Sequence, residues 1–197
     1  MLARVLKDPE VRKQEILDTA MKLFHEKGYD STSIADIAKA MNVVPGLCYR
    51  YFTSKQEIFD TAIKQYAIES CQDFLQVIHD KSKSFKDRLS LFGKIMIHKE
   101  DNSKHHGFFH TAGNETFHLQ LGIEMFKYLA PHISNELTEL NKKGEISVES
   151  PELMTNFLLY GQVILWLPPH DDPHSKQFQQ KLIQLRQYIY KLVGIQE

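Results

Sequence analysis

The feature that most constrains the fold lies in residues 28–55, where the sequence predicts two short helices on either side of a tight turn. Ser33 and Asp36 have the spacing of a capping box, in which each side chain satisfies a backbone N–H at the start of a helix. After the turn at Asn42, Pro45 suits the first position of a second helix, because its missing N–H would have no partner there. Two short helices joined in this way are typical of a helix-turn-helix.

The charges around these two helices favour contact with phosphate groups. Residues 37–55 contain Lys39, Arg50 and Lys55 but no Asp or Glu, so a phosphate would meet no repulsion there. The whole chain has a net charge of −1, yet residues 1–55 carry nine Lys and Arg against seven Asp and Glu. A solvated basic stretch would give the same charge pattern. The helical motif, rather than the charge, therefore points to DNA.

A more specific pattern extends over residues 12–55. A Gly-Tyr pair follows an amphipathic helix, and a Gly-x-x-Tyr-x-x-Phe-x-Ser-Lys pattern fills residues 46–55. In order and spacing, this segment resembles the DNA-binding domain of the tetracycline-repressor (TetR) family. It departs from the family at Asn42, Val44 and Cys48, where the family usually has Gly, a capping Ser or Thr, and Leu.

The resemblance implies an all-α fold of about nine helices in two domains. Residues 1–55 would form a three-helix, helix-turn-helix DNA-binding domain, and residues 56–197 a helical domain for effector binding and dimerisation. Caps and helix breakers along the chain agree with an all-helical protein. They predict helices from Asp8 to Gly28, from Ser54 to Ile78, from Phe85 to Met96, in two stretches between His105 and Lys143 with a break at Gly113 and a kink at Pro131, from Ser150 to Trp166, and from Ser175 to Val193.

Four residues are predicted to contact DNA phosphates. Thr32 and Ser33 stand at the start of the first short helix, where backbone N–H groups and the helix dipole attract anions. The resemblance assigns phosphate contacts to Tyr49 and Lys55. An alternative for Tyr49 is an aromatic side chain packed between helices.

Base recognition is predicted for the second short helix, which is expected to run on to Phe52. At its start, Gly46 permits close approach to the duplex, and Pro45 or Leu47 could touch a thymine methyl group. Arg50 is the candidate for a hydrogen bond to a base edge, with a phosphate contact as the alternative. Tyr51 is assigned to the same surface.

Aromatic and histidine residues between positions 105 and 166 are candidates for an effector pocket, because apolar pockets with a few polar points bind small molecules. The alternative is that these aromatic residues fill the core. His106 and His110 lie one helical turn apart and could share a metal ion, but Glu115 is the only neighbouring carboxylate, so no metal or cofactor is predicted. The candidate ligand-binding residues are Phe108, Phe109, His110, Phe117, Phe126, Tyr160 and Trp166.

The last two predicted helices are candidates for a dimer interface. Two recognition helices must lie about 34 Å apart to read a palindrome, which requires a rigid two-fold interface. One face of each helix is apolar, and pairing the faces would give a four-helix interface, unless these stripes pack inward on their own subunit. The candidate residues are Phe157, Gly161 and Ile164 on the first helix, and Phe178, Leu182, Leu185 and Ile189 on the second.

Two functional hypotheses follow from these patterns. The first is a ligand-responsive regulator, a repressor that binds double-stranded operator DNA as a homodimer and is released by a small molecule. The second is a small metal- or His-dependent helical enzyme with an N-terminal helical cap, although no catalytic constellation supports it. Two cysteines without a CxxC pair and the lack of a signal-peptide pattern predict a cytoplasmic protein. The most apolar stretch, residues 157–167, is too short to span a membrane.

Overall fold

The computed structural model describes residues 7–98, 108, 113–163 and 175–195, and the regular structure in these ranges is helical. The predicted all-α class is confirmed. The helices in these ranges are α1 (Pro9–Lys27), α2 (Ile34–Ala40), α3 (Pro45–Tyr49), α4 (Lys55–Ser70), α5 (Gln72–His79), α6 (Phe85–His98), α7 (Glu115–Lys142), α8 (Pro151–Tyr160) and α9 (Lys176–Leu192).

The chain divides into two compact units. The first comprises Met1–Tyr66 with Ser103–Asn114, and the second comprises Ala67–Asn102 with Glu115–Glu197. The division after Tyr66 falls inside α4, whereas the sequence placed the functional boundary at the start of that helix. Among the described residues, no helix combines the length and apolarity needed to cross a bilayer.

Helix α1 begins and ends where its sequence predicts. The Asp8 side chain accepts a hydrogen bond from the Glu10 N–H, and Pro9 occupies the first turn. At the other end, Gly28 has a φ of +87° and its N–H donates to the Phe24 carbonyl. A single apolar stripe faces the core and consists of Ile16, Leu17, Ala20, Met21, Leu23 and Phe24.

The turn between α2 and α3 is fixed by backbone hydrogen bonds. The capping box of Ser33 and Asp36 is present and confirms the predicted start of α2. At the end of α2, the Asn42 N–H donates to the Lys39 carbonyl, and the Val43 N–H donates to the Ala38 carbonyl. These two bonds form a Schellman motif, which needs a left-handed residue at its centre. Asn42 supplies it with a φ of +55°.

Helix α3 is shorter than predicted, because it ends at Tyr49 and not at Phe52. The N–H groups of Arg50 and Tyr51 donate to carbonyls three residues back, which tightens the chain out of the α-helix. Phe52 then lies in the core with 2% of its side chain exposed. The early end of α3 therefore coincides with the burial of the Phe52 side chain.

The single helix predicted from Ser54 to Ile78 is interrupted. The start is correct, because the Glu57 N–H donates to the Ser54 hydroxyl. At Cys71, however, the carbonyl of Ile68 accepts from the Cys71 N–H at 3.2 Å and from the side-chain amide of Gln72 at 2.9 Å. A side chain that competes for a backbone carbonyl weakens the regular helical ladder there. The chain consequently forms α4 and α5 in place of one helix.

In the second unit, the long helix α7 continues through Pro131 and closes at Gly144 in another Schellman motif. The segment after α7 is tied back to α7 by both side-chain groups of Asn141, which bond the N–H and carbonyl of Val148. The Ser147 N–H donates to the Val193 carbonyl, which joins this segment to the end of α9. The core here consists of Leu137, Leu140, Ile146, Val148, Ile189 and Val193.

Helices α8 and α9 begin at their predicted caps. The hydroxyls of Ser150 and Ser175 accept from backbone N–H groups in the first turn of each helix. Helix α8 ends at Tyr160, earlier than the predicted end at Trp166, and Gly161 follows as its cap. Glycine disfavours the continuation of a helix, because it loses more backbone freedom than other residues.

Candidate nucleic-acid interface

Helix α3 presents its first turn to solvent while its other side is anchored. The Cys48 side chain is fully buried beneath the helix, and burial raises the pKa of its thiol. By contrast, Pro45 and Gly46 are exposed, and no atom beyond the helix itself lies within 4 Å of the position where a Cβ of Gly46 would stand. Tyr49 is 57% exposed. The alternative of Tyr49 as a packed aromatic is therefore wrong.

The start of α2 does not offer the free N–H groups that were predicted from the sequence. The Thr32 N–H donates to the Tyr29 carbonyl at 3.2 Å, and the Ser33 N–H donates to the Asp36 carboxylate at 2.9 Å. Both N–H groups that were expected to meet phosphates are thus already bonded within the chain. The Thr32 side chain is also buried, and its hydroxyl donates to the Gly28 carbonyl. Hydrogen bonds from Ser33 lower the pKa of Asp36, which keeps a negative charge at this helix end.

Lys55 stands at the first position of α4 and is held in place by residues from the loop between α1 and α2. Its ammonium group donates to the Tyr29 carbonyl at 2.7 Å and lies 4.2 Å from the centre of the Tyr29 ring. The Tyr29 hydroxyl donates in turn to Gln56. An ammonium group has three N–H donors, so Lys55 keeps donors for a phosphate while its position is fixed.

Tyr29 is the centre of this arrangement, and no DNA role was predicted for it. Its ring packs against Phe24 and Phe59 with centroid distances of 5.0 and 5.3 Å. Burial, followed by the charges of Asp60 and Asp30, raises the pKa of its phenol. The Gly-Tyr pair was visible in the sequence, but its contact with Lys55, 26 residues away, was not.

Four further residues complete the surface near α3. Arg50 is exposed at the end of α3, and Tyr51 and Leu47 are partly buried. Val44 precedes α3 with 71% of its side chain exposed, and no side chain caps the helix at this position. An exposed valine is a side chain that can touch a thymine methyl group if α3 enters the major groove. One feature of the sequence marked this position, because Val44 stands where the TetR family usually has a capping Ser or Thr.

The predicted effector residues do not form one cluster among those described. Phe108 is buried in the first unit, where its ring packs against Phe59 with a centroid distance of 5.9 Å. Phe126 and Tyr160 pack edge to face in the second unit, and Phe117 is partly buried there. Phe108 is thus a core residue. Phe109, His110 and Trp166 lie outside the described residues, as does the histidine pair considered for a metal ion.

The predicted dimer residues separate into a buried and an exposed group. Phe178 and Ile189 have only 2% and 8% of their side chains exposed, so they belong to the core and not to a free face. Phe157 is 61% exposed and Gly161 is exposed. Leu182 and Leu185 are partly buried, and Ile164 lies outside the described residues.

An apolar groove of about 390 Å³ lies between α8 and α9. Its walls include Phe157, Leu158 and Gly161 of α8, and Tyr188 and Leu192 of α9. Tyr188 and Leu192 are 59% and 43% exposed, and neither was predicted from the sequence. They lie on α9 beside the buried stripe. Helical spacing alone does not show which apolar residues of this helix are buried and which are exposed.

Comparisons with known proteins agree with this geometry. Residues 16–62 match the model of the bacterial regulatory proteins of the tetR family. The negative transcriptional regulator IcaR of the biofilm operon icaADBC in Staphylococcus aureus is 41% identical over 66 residues, which are 34% of this chain and 33% of IcaR. YuxN of Bacillus subtilis, an uncharacterised HTH-type regulator, is 30% identical over 97 residues, 49% of this chain and 32% of YuxN. The matched segment thus spans about a third of the length of these relatives.

Solved structures extend the likeness of the fold to nearly the whole chain. GusR of Salmonella enterica superposes with a TM-score of 0.66 at 20% identity, covering 96% of this chain and 98% of GusR. RolR in complex with resorcinol gives a TM-score of 0.60 at 19% identity, covering 95% of this chain and 89% of RolR. At these identities the likeness concerns the fold. The chain is therefore similar to the bacterial regulatory proteins of the tetR family in residues 16–62, and to these solved structures in its fold.

Proposed function

We propose that this protein is a transcription regulator that binds double-stranded operator DNA through α3. The observation that supports this most strongly is the presentation of α3 in the first unit. Cys48 and Phe52 anchor its inner side, while Val44, Pro45 and Tyr49 stay exposed. A short helix held rigidly with its first turn in solvent suits insertion into the major groove.

The residues at this surface then have distinct roles. Tyr49 and Lys55 bind phosphates, and the contacts of Lys55 with Tyr29 hold its ammonium group ready for this. Arg50 donates to a base edge, because guanidinium groups match the paired acceptors of guanine. Pro45 and Leu47 contact thymine methyl groups, and Gly46 allows the backbone to approach the duplex.

We further propose that the protein is a cytoplasmic homodimeric repressor, which a small molecule releases from its operator. Repression is supported by the similarity to IcaR, a negative transcriptional regulator, and ligand response by the resorcinol bound to RolR. The exposed apolar residues of α8 and α9 supply a surface for the two-fold contact, since a large exposed patch marks an interaction site. The competing hypothesis of an enzyme has no comparable support.

A gel-shift experiment with the DNA upstream of the gene for this protein tests the proposal. We expect a discrete retarded band that survives a large excess of random DNA and disappears with Arg50→Ala. Lys64→Ala is a matched control, because Lys64 is an exposed cation on α4 without an assigned contact. Equal retardation of upstream and random DNA by the wild type would contradict operator recognition.

A further inference from the structure

A cavity of about 100 Å³ lies within the second unit and is lined by residues of α5, α6, α7, α8 and α9. Most of its wall is apolar and includes Phe85, Leu89, Ile133 and Leu159. Cavities of about 150 Å³ with such walls are known to hold benzene. The size and lining of this cavity therefore suit the apolar part of a small organic molecule, on the order of five or six heavy atoms.

Arg88 projects into this apolar wall from α6 and is only 6% exposed. One terminal nitrogen donates to the Glu136 carboxylate at 2.6 Å, and the other donates to the Ile78 carbonyl at 2.6 Å. The Nε–H of Arg88 is buried and has no hydrogen-bond partner among the described residues. A buried donor without a partner is unfavourable, so an acceptor at this point would be bound strongly.

The charge around Arg88 selects the kind of acceptor. Lys81 also pairs with Glu136, on the second carboxylate oxygen. The charges of Glu145 and Asp80 also act on Arg88. The Nε–H belongs to a cation, and hydrogen bonds between charged groups are roughly twice as strong as neutral ones, so a ligand carboxylate is the acceptor that it would bind most strongly. Gln162 adds a polar side chain to the same wall.

We propose that this cavity binds a small apolar monocarboxylic acid, whose carboxylate accepts a hydrogen bond from the Nε–H of Arg88. The hydrocarbon part of the acid fills the space lined by Phe85, Leu89 and Ile133. The claim that this acid is the effector of a DNA-binding regulator rests on the proposed function above. The claim that the acid binds in the cavity does not.

The walls of the cavity also suggest how binding would reach the proposed dimer surface. Leu158, Gln162 and Ile189 line both this cavity and the groove between α8 and α9. An occupant that shifts these side chains changes the groove directly, because interiors are packed too tightly to absorb displacement. The acid would therefore alter the geometry with which two copies pair.

Calorimetric titration of the full chain with hexanoate tests the site, and hexan-1-ol serves as a neutral ligand of matched length. We expect hexanoate to bind about tenfold or more tightly than the alcohol. Arg88→Lys keeps a cation opposite Glu136 but removes the Nε–H, so it should weaken hexanoate binding by about tenfold or more while changing the binding of the alcohol little. Equal hexanoate affinity in the wild type and Arg88→Lys would overturn the proposal.

A second variant tests the cavity without altering the charged cluster. Ile133→Phe adds bulk to the wall and should abolish binding of both ligands, whereas Ile68→Phe, on an exposed position of α4, should leave binding unchanged. Full hexanoate binding by Ile133→Phe would overturn the site even if Arg88→Lys fails to fold. A parallel gel shift separates the two proposals: absence of hexanoate binding with intact operator binding refutes the cavity, and hexanoate binding without operator binding refutes the proposed function.

Discussion

At the scale of single residues, the first unit depends on two positions that depart from ordinary preferences. Asn42 adopts a left-handed backbone with a φ of +55°, which non-glycine residues seldom do. Asn is tolerated there because its short polar side chain can bond locally. Lys55 is a charged side chain held by a carbonyl and an aromatic ring of Tyr29. The first residue determines the turn, and the second positions a cation.

We predict that Asn42→Ala lowers the free energy of unfolding by about 1 kcal/mol, because a Cβ without a polar group is disfavoured in the left-handed region. Asn42→Gly removes that strain and should stay within about 0.5 kcal/mol of the wild type. Urea denaturation followed by circular dichroism measures both values. Equal stability of the Ala and Gly variants would show that the left-handed turn is not required.

Lys55→Ala should weaken binding to all DNA sequences alike and reduce the slope of log K against log salt by about 0.9, the value for one released counterion. Lys64→Ala, which removes an exposed charge from the same helix, should leave the slope nearly unchanged. Filter binding at several salt concentrations provides the measurement. Identical slopes for the wild type and Lys55→Ala would remove Lys55 from the interface.

Tyr49→Phe removes a hydroxyl but no charge, so it should weaken specific and random DNA binding equally without changing the salt slope. Arg50→Ala should instead lose about 1 to 3 kcal/mol of discrimination at one or two base pairs. Competition with operator variants distinguishes the two effects. If Arg50→Ala weakens specific and random DNA equally, this arginine binds a phosphate.

At the scale of elements, the ends of α7 and α9 stabilise the second unit in the same way. Both end in a glycine with positive φ, +72° at Gly144 and +77° at Gly194. Only the second glycine is also in close contact with another segment. A Cβ at Gly194 would lie 3.2 Å from the Cβ of Ser147, whereas a Cβ at Gly144 would meet nothing within 4 Å. Each glycine thus supplies the conformation, and Gly194 supplies close packing as well.

Replacing each of these two glycines with alanine separates the free-energy cost of backbone strain from the cost of overpacking. Gly144→Ala should destabilise the chain by about 1 kcal/mol through backbone strain alone. Gly194→Ala should cost about 1 kcal/mol more, because the added methyl group overpacks the contact with Ser147. Thermal unfolding of both variants gives the difference. A smaller loss for Gly194→Ala than for Gly144→Ala would contradict the packing contribution.

At the scale of the whole molecule, recognition of a palindrome requires two copies of the chain. Phe157 and Tyr188 are the largest exposed side chains at the groove between α8 and α9. Gly161 is a poor position for a test, because any Cβ there would lie 2.6 Å from the Phe157 carbonyl and disturb the end of α8. Substitution of an exposed aromatic residue avoids this difficulty.

We therefore predict that Phe157→Glu gives a folded monomer, since two buried carboxylates would face each other near the two-fold axis. Operator affinity should fall by about a hundredfold or more, because one half-site no longer assists the other. Ile68→Glu, at an exposed position of α4, should remain dimeric. Sedimentation velocity decides the outcome, and a dimeric Phe157→Glu protein would refute this surface.

Local sequence patterns were sufficient to predict the features that depend on neighbours a few residues apart. The caps at Asp8, Ser33, Ser150 and Ser175, and the stop at Gly28, are all present where the sequence predicts them. Their hydrogen bonds close within one helical turn, so composition and spacing suffice to find them. The all-α fold follows from the same local signals.

Features that depend on distant residues could be seen only in the folded chain. Burial of Phe178 and Ile189, in contrast to the exposure of Phe157, depends on which face of each helix meets the rest of its unit. The pairing of Arg88 with Glu136 joins residues 48 positions apart and leaves the Nε–H of Arg88 in an apolar wall. Periodicity shows that a helix has an apolar stripe, but only packing shows what covers that stripe, because the choice depends on all the contacts of the core together.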